Sequence, residues 1–173
     1  MEKIILIVPM IPVLAALLTQ LFSARLAHES ARISITGSLL TFLVSVATLW
    51  FALSSPGSHT VSLPDTPALL LLDPLSSLMA TVIAGISRIV HIYSRRYMAD
   101  EAGYCRFFIL LDLMTAALLV MVAAGDLLTL LIAWHLVGVL LYFLLGHEEA
   151  IDAACMRRVV QQAMEGAAIG MPI

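Results

Sequence analysis

Charge is scarce in this chain. Asp, Glu, Lys and Arg make up 12% of its 173 residues, against 61% apolar. A soluble domain carries about 25% charged and about 45–50% apolar residues. So few charges cannot coat a water-solvated shell, and lipid must solvate much of the surface. Lysine is nearly missing, with Lys3 the only one. The net charge of −3, with basic residues few and scattered over loops, excludes an electrostatic footprint for nucleic acid. Cysteine is limited to Cys105 and Cys155, which form no CxxC or metal-ligand spacing. The five histidines, at 28, 59, 91, 135 and 147, fall on different segments, so no metal site is expected. Phosphate loops, nucleotide fingerprints and nucleophile constellations are also lacking. The chain is therefore expected to bind no cofactor and to have no redox site of its own.

What is there is a series of long apolar runs. A hydrocarbon core about 30 Å thick needs about 20 apolar residues of helix. Five runs meet that length, at about 4–22, 33–53, 74–93, 107–124 and 127–146. They show none of the alternation of a transmembrane barrel, and helix satisfies its own backbone in lipid. The fold class expected is all-α, a membrane protein of five transmembrane helices over 1–146. The first run lacks the basic flank of a secretory signal and reads as a retained helix. Asp73 and Pro74 suit the N-cap and first position of the third helix. Gly125-Asp126 suits a tight turn between the fourth and fifth. The Pro-containing stretch 57–72 reads as a surface loop with room for a short hairpin. The remainder, 147–173, is charged at its start and reads as a cytoplasmic tail, amphipathic if helical.

Arginine fixes the expected orientation. Arg25 and Arg32 follow the first run, Arg95, Arg96 and Arg106 follow the third, and Arg157 and Arg158 follow the fifth. The other two gaps hold no Lys or Arg. The positive-inside rule then puts the amino terminus outside and the carboxyl end in the cytoplasm. Both cysteines fall on the cytoplasmic side, where thiols stay reduced, and no disulfide is expected.

Ionisable groups within membrane helices are costly and mark function by default. Four are candidate proton-relay residues: His135, Asp112, Arg88 and His91. Each has a structural alternative. Arg88 and His91 are near enough to a span end to snorkel to the interface. Asp112 can be satisfied by an inter-helix bond or by pairing with Arg88. His135, halfway along the fifth run, is too deep to snorkel; it either packs with one hydrogen bond or relays protons, since imidazole donates and accepts near neutral pH. Gly85, Gly138 and the pairs Ala116-Ala117 and Ala123-Ala124 suit close helix approach. Trp50, Tyr93, Tyr97, Tyr104 and Tyr142 suit the membrane interface.

The order and spacing of several runs resemble a known family. They are Asp73-Pro74-Leu75-Ser76, His91-Ile92-Tyr93-Ser94 with Tyr97-Met98, Glu101 to Phe108, Asp126-Leu127-Leu128, and Ala133-Trp134-His135-Leu136-Val137-Gly138 with Tyr142 and Leu144-Leu145-Gly146. Together they resemble the amino-terminal part of the L-type, or chain 5, subunit of respiratory complex I. The wider group includes the large subunits of Na+/H+ antiporters and subunits of bacterial inorganic-carbon uptake systems. The resemblance implies an antiporter-like, proton-translocating subunit of an NADH-quinone oxidoreductase. Such a subunit works in the bacterial inner membrane beside other membrane subunits of a respiratory or carbon-uptake complex. The family's glutamate after the tryptophan of the fifth helix is a relay residue, and His135 stands in its place. The family's broken helices and buried lysines come after the point where this chain stops. The expectation is thus an amino-terminal fragment with little transport by itself. The alternatives are a subunit of proton-driven bicarbonate or CO2 uptake, and a truncated remnant without transport.

Overall fold

The computed structural model describes residues 2–23, 27–54, 59–61, 70–97 and 104–146. The tail from His147 onward, Arg25, Arg157, Arg158 and Cys155 lie outside the described residues. Five helices carry the architecture: α1 Glu2–Ser23, α2 Ala27–Ser54, α3 Pro74–Tyr97, α4 Tyr104–Val122 and α5 Leu127–Gly146. Arg32–Ser54 of α2, together with α3, α4 and α5, are long and apolar enough to cross a bilayer. In α1 the apolar stretch Ile7–Leu21 is shorter, and Pro9 and Pro12 sit inside that helix. The chain is a multi-pass membrane protein by this measure, almost entirely helical among its described residues.

Local chemistry explains the helix boundaries. Asp73 Oδ1 accepts the Ser76 backbone N–H at 2.7 Å, and Ser76 Oγ accepts the Asp73 N–H at 3.0 Å. This is a reciprocal capping box that satisfies two groups a helix start would leave open. Pro74 occupies the first helical position, where its missing N–H is harmless. Asp126 Oδ1 accepts the Thr129 N–H at 3.3 Å and so opens α5 after the turn at Gly125. The stretch between α2 and α3 contains the short hairpin: β1 His59–Val61 pairs antiparallel with β2 Leu70–Leu72. Leu70 also bridges to Ala124, and the Leu71 N–H donates to the Ala123 carbonyl, tying that loop to the α4–α5 turn.

α1 packs on α2 and α4, α2 packs on α3, and α3 packs on α4, closing a ring of four helices. One layer of that ring takes Val8, Val44, Ala80, Ile83 and Leu119. Lipid gives helices no hydrophobic reason to associate, so close van der Waals approach must hold them. The tightest approach is at Gly37, where an added Cβ would sit 2.5 Å from the Ala15 Cβ. Gly85 is in ordinary proximity to the Phe42 ring at 3.4 Å, whereas Gly138 has nothing within 4 Å and mediates no close approach among the described residues. α5 stands outside the ring beside α1 and α4. The three share an apolar cavity of about 450 Å³ lined by Pro9, Val13, Ala116, Ala133 and Leu140, among others. Most of the α5 surface is exposed, Leu127, Leu128, Trp134 and Tyr142 most of all.

Candidate functional site

The interior of the four-helix ring is polar at one level. Asp112 projects from α4 and His91 from α3, and they are 1% and 0% exposed. His91 Nε2 lies 3.0 Å from Asp112 Oδ1. Ser34 of α2 donates its hydroxyl to Asp112 Oδ2 at 2.6 Å, the length of an O–H bond to a carboxylate. Phe108, fully buried, closes the imidazole on one side with ring centroids 6.0 Å apart.

Hydrogen-bond accounting orients this cluster. His91 Nδ1 lies 2.7 Å from the Ser87 carbonyl oxygen, which can only accept, so Nδ1 carries a proton. The Thr115 hydroxyl donates to the Leu111 carbonyl at 2.8 Å. Ser87 must then donate its own hydroxyl to Thr115 Oγ1, 2.7 Å away. With the Nδ1 proton committed, the contact between Nε2 and Oδ1 holds one proton. It forms either an imidazolium–carboxylate pair or a neutral imidazole with a carboxylic acid. The two forms contain the same number of protons and differ by a shift of one proton along a single bond. Neither form adds net charge to the pair.

Arg88 grips the same turn of α2. Its guanidinium donates to the Ile35 carbonyl at 2.7 Å and reaches Ser38 Oγ at 3.5 Å. Two sequence readings are corrected here. His91 does not snorkel to the interface: its ring is sealed between α3 and α4, because Ser87 one turn away and Asp112 across the ring satisfy both nitrogens. Arg88 does not pair with Asp112: the carboxylate is taken by His91 and Ser34, while the guanidinium takes a backbone carbonyl one residue further along α2. Both groups therefore bond one turn of α2 without a direct bond to each other.

His135 is elsewhere. It lies on the exposed face of α5, and its Nδ1 donates to the Leu131 carbonyl one turn back at 2.8 Å. Nε2 has no partner among the described residues. Around it is an open depression of about 630 Å³ lined by Leu131, Trp134, Gly138, Val139, Tyr142 and Phe143. The structure thus joins Asp112 and His91, sets Arg88 beside them, and leaves His135 apart. Ser34, Ser87 and Thr115 were missed from sequence. Two of them carried a signal: Ser87 precedes His91 by four residues and Thr115 follows Asp112 by three, so each hydroxyl shares a helix face with a candidate residue, whereas Ser34 reaches Asp112 from another helix. No group of three or more His, Cys, Asp or Glu able to hold a metal occurs among the described residues.

Outside the membrane helices, Asp73 is held below the ordinary carboxylate range. The cause is hydrogen bonding from Ser76, first by its side chain and then by its backbone N–H.

Comparison with known proteins shows what the chain is similar to. Residues 64–108 match the family described as NADH-Ubiquinone oxidoreductase (complex I), chain 5 N-terminus. A probable inorganic carbon transporter subunit of Halothiobacillus neapolitanus is 54% identical over 143 residues, covering 81% of this chain and 25% of that protein. Subunit L of the F420H2 dehydrogenase of Methanosarcina mazei is 31% identical over 84% of this chain and 22% of its own length. Subunit L of the NADH-quinone oxidoreductase of Neisseria meningitidis is 29% identical over 82% of this chain and 23% of its own length. The chain spans about a quarter of the length of these curated relatives.

Proposed function

From a chain that is a relative of the amino-terminal region of complex I chain 5 and its antiporter-like counterparts, we propose the lipid-embedded amino-terminal part of a proton-translocating subunit. It works within a larger assembly of membrane subunits. The observation that carries this reading is the buried His91–Asp112 contact, which holds one exchangeable proton inside the helix ring. An ion-pair interaction kept only for stability is poorly motivated here, because apolar residues of similar volume would stabilise as well or better. Ser34 anchors the carboxylate, and Arg88 supplies a fixed positive charge one turn away that offsets the negative charge left when the shared proton departs. His135, with Nε2 open on the α5 surface, is the point at which a proton passes to or from a neighbouring segment.

In this reading all five helices cross the bacterial inner membrane. The amino terminus is outside and the carboxyl end cytoplasmic, as the arginine-bearing gaps require. The test is proton transport in sealed vesicles containing the assembled protein. Asp112→Asn should abolish or cut translocation at least about tenfold, as removal of a positioned proton donor does. His135→Ala should lower it, and His135→Glu should retain part of it. Full transport in Asp112→Asn would refute the relay.

A second reading has a specific observation behind it. The 54% identity to an inorganic carbon transporter subunit exceeds the 29–31% to the dehydrogenase subunits. In that assembly the same proton path would drive uptake of bicarbonate or CO2. Protonophore-sensitive accumulation of labelled bicarbonate in cells producing the protein supports this second reading. Quinone reduction co-purifying with the chain supports the respiratory one.

A further inference from the structure

The inner face of α2 is lined with hydroxyls. Ser34, Ser38, Thr41, Ser45 and Thr48 follow one another at alternating steps of four and three residues, so they share one stripe. Every one is buried. The stripe runs about 21 Å along the helix axis, much of a hydrocarbon core about 30 Å thick. α3 extends it: the Thr81 hydroxyl reaches the Ser45 carbonyl at 3.1 Å, and the Ser77 hydroxyl reaches the Asp73 carbonyl at 2.8 Å. One end is the Ser34–Asp112–His91 cluster and the other is the Asp73 capping box.

Most of these hydroxyls spend their proton on their own helix. Ser38, Thr41, Thr48 and Thr81 donate to carbonyls three or four residues back, at 2.7 to 2.9 Å. That leaves their oxygen lone pairs open to accept. Two hydroxyls break the pattern. Thr19 Oγ1 and Ser45 Oγ are fully buried and have no hydrogen-bond partner among the described residues. A stripe that served only to let helices approach would need no such groups, since alanine packs as closely. Each unbonded buried hydroxyl costs about 1–3 kcal/mol. A bound water relieves that cost where two or more polar groups converge.

Their positions are informative. α1 and α2 run antiparallel, with Ala15 against Gly37 and Val8 in the same layer as Val44. The same register sets Thr19 level with Ile33 and Ser34, the latter being the hydroxyl that bonds Asp112. Ser45 is level with Thr81, towards the opposite end. The two orphan hydroxyls thus lie towards opposite ends of the stripe, and Arg88 reaches Ser38 between those levels.

We propose that this seam binds a file of water molecules and is the route by which protons reach the His91–Asp112 pair from the Asp73 end of the helix ring. It deepens the relay function above and rests on it. A proton moves from oxygen to oxygen along the file while each oxygen releases another, so no heavy atom crosses the membrane.

The test is thiol accessibility in the full chain in its native membrane, with Cys105 and Cys155 changed to serine. Silver ion, small enough for a water path, is the probe, and the readout is the free thiol remaining. Ser45→Cys, Ser38→Cys and Thr19→Cys should react at least about tenfold faster than Ala47→Cys, which is on the exposed face of α2, where the bilayer core holds no water. Adding Thr41→Val to Ser38→Cys should slow its reaction. Equal rates for Ser45→Cys and Ala47→Cys would overturn the proposal, as would an unchanged Ser38→Cys rate with valine at 41. Transport by Asp112→Asn is scored separately. A dry seam with a dead Asp112→Asn refutes the water file and leaves the relay. A wet seam with full Asp112→Asn transport refutes the relay.

Discussion

Removing His91 should be much worse than removing the whole pair. His91→Ala deletes the 3.0 Å contact to Asp112 and the 2.7 Å bond to the Ser87 carbonyl, and it opens a hole against Phe108. Asp112 is left buried with the Ser34 hydroxyl alone. Breaking a buried pair from one side costs about 3–5 kcal/mol, because the surviving charge is uncompensated. Polar contacts between membrane helices are weaker, averaging about 0.6 kcal/mol, since the unfolded state in the membrane also finds partners. The larger figure should govern here. It describes a stranded carboxylate, whereas the smaller one describes the loss of a neutral bond, and among the described residues Ser34 and His91 are the side chains that bond Asp112. The lower bound of about 3 kcal/mol corresponds to about a hundredfold or more in the unfolding constant. The double change His91→Leu with Asp112→Leu removes both polar groups and refills the volume. It should fall within about 1 kcal/mol of the parent.

Reversible unfolding of the purified chain in mixed detergent, followed by tryptophan emission from Trp50 and Trp134, measures both. The order expected is parent and double variant together, with His91→Ala far below. If His91→Ala loses less than about 1 kcal/mol, Asp112 was not buried in a closed site as described. If the double variant is as unstable as the single, the pair is a net stabilising contact and the argument that function retains it fails.

Other perturbations separate the remaining contacts. Asp73→Ala should cost about 1 kcal/mol near neutral pH by loss of the cap. Ser76 lowers the Asp73 carboxyl in the folded state, so the charged cap stabilises above the unfolded carboxylate range. That contribution is lost as pH falls through the lowered folded value, and the parent and Asp73→Ala unfolding curves should approach each other as it is passed. Gly37→Ala places a methyl 2.5 Å from the Ala15 Cβ and should destabilise by about 1–3 kcal/mol, outweighing its better helix propensity. Gly138→Ala meets nothing within 4 Å and should be neutral or stabilise by a few tenths of a kcal/mol, which the same unfolding assay checks. His135→Ala should leave stability within about 0.5 kcal/mol, since the ring is exposed and bonds only its own helix, while transport by the assembled protein falls.

The helices were legible because membrane solvation writes them in runs of apolar residues, and the boundaries at Asp73-Pro74 and Gly125-Asp126 were legible because caps need particular side chains. The hairpin between α2 and α3 was readable only as an allowance, since His59–Val61 and Leu70–Leu72 pair across a gap that carries no turn signal strong enough to set their register. The site was harder. Period and hydropathy say which residues lie on one helix face, but not which faces meet. Arg88 and His91 are three residues apart, and snorkelling is open to both from sequence; the ring seals His91 and leaves Arg88 half-buried against α2. Asp112 could have found either, and the choice goes with α2 bringing Ser34 to Asp112 and the Ile35 carbonyl to Arg88, a long-range fact. His135 drew attention because it is deep, yet depth along a helix does not say which side faces lipid. The better signal was quieter. Five hydroxyls at steps of four and three on α2 make a polar face in a helix whose overall composition is apolar, and a polar face inside hydrocarbon must meet something. In this fold it meets His91, Asp112 and Arg88. Ser34 and Ser38 carry the contact between that face and the buried charged groups, so the proposed relay and the proposed seam share residues while their tests remain separable.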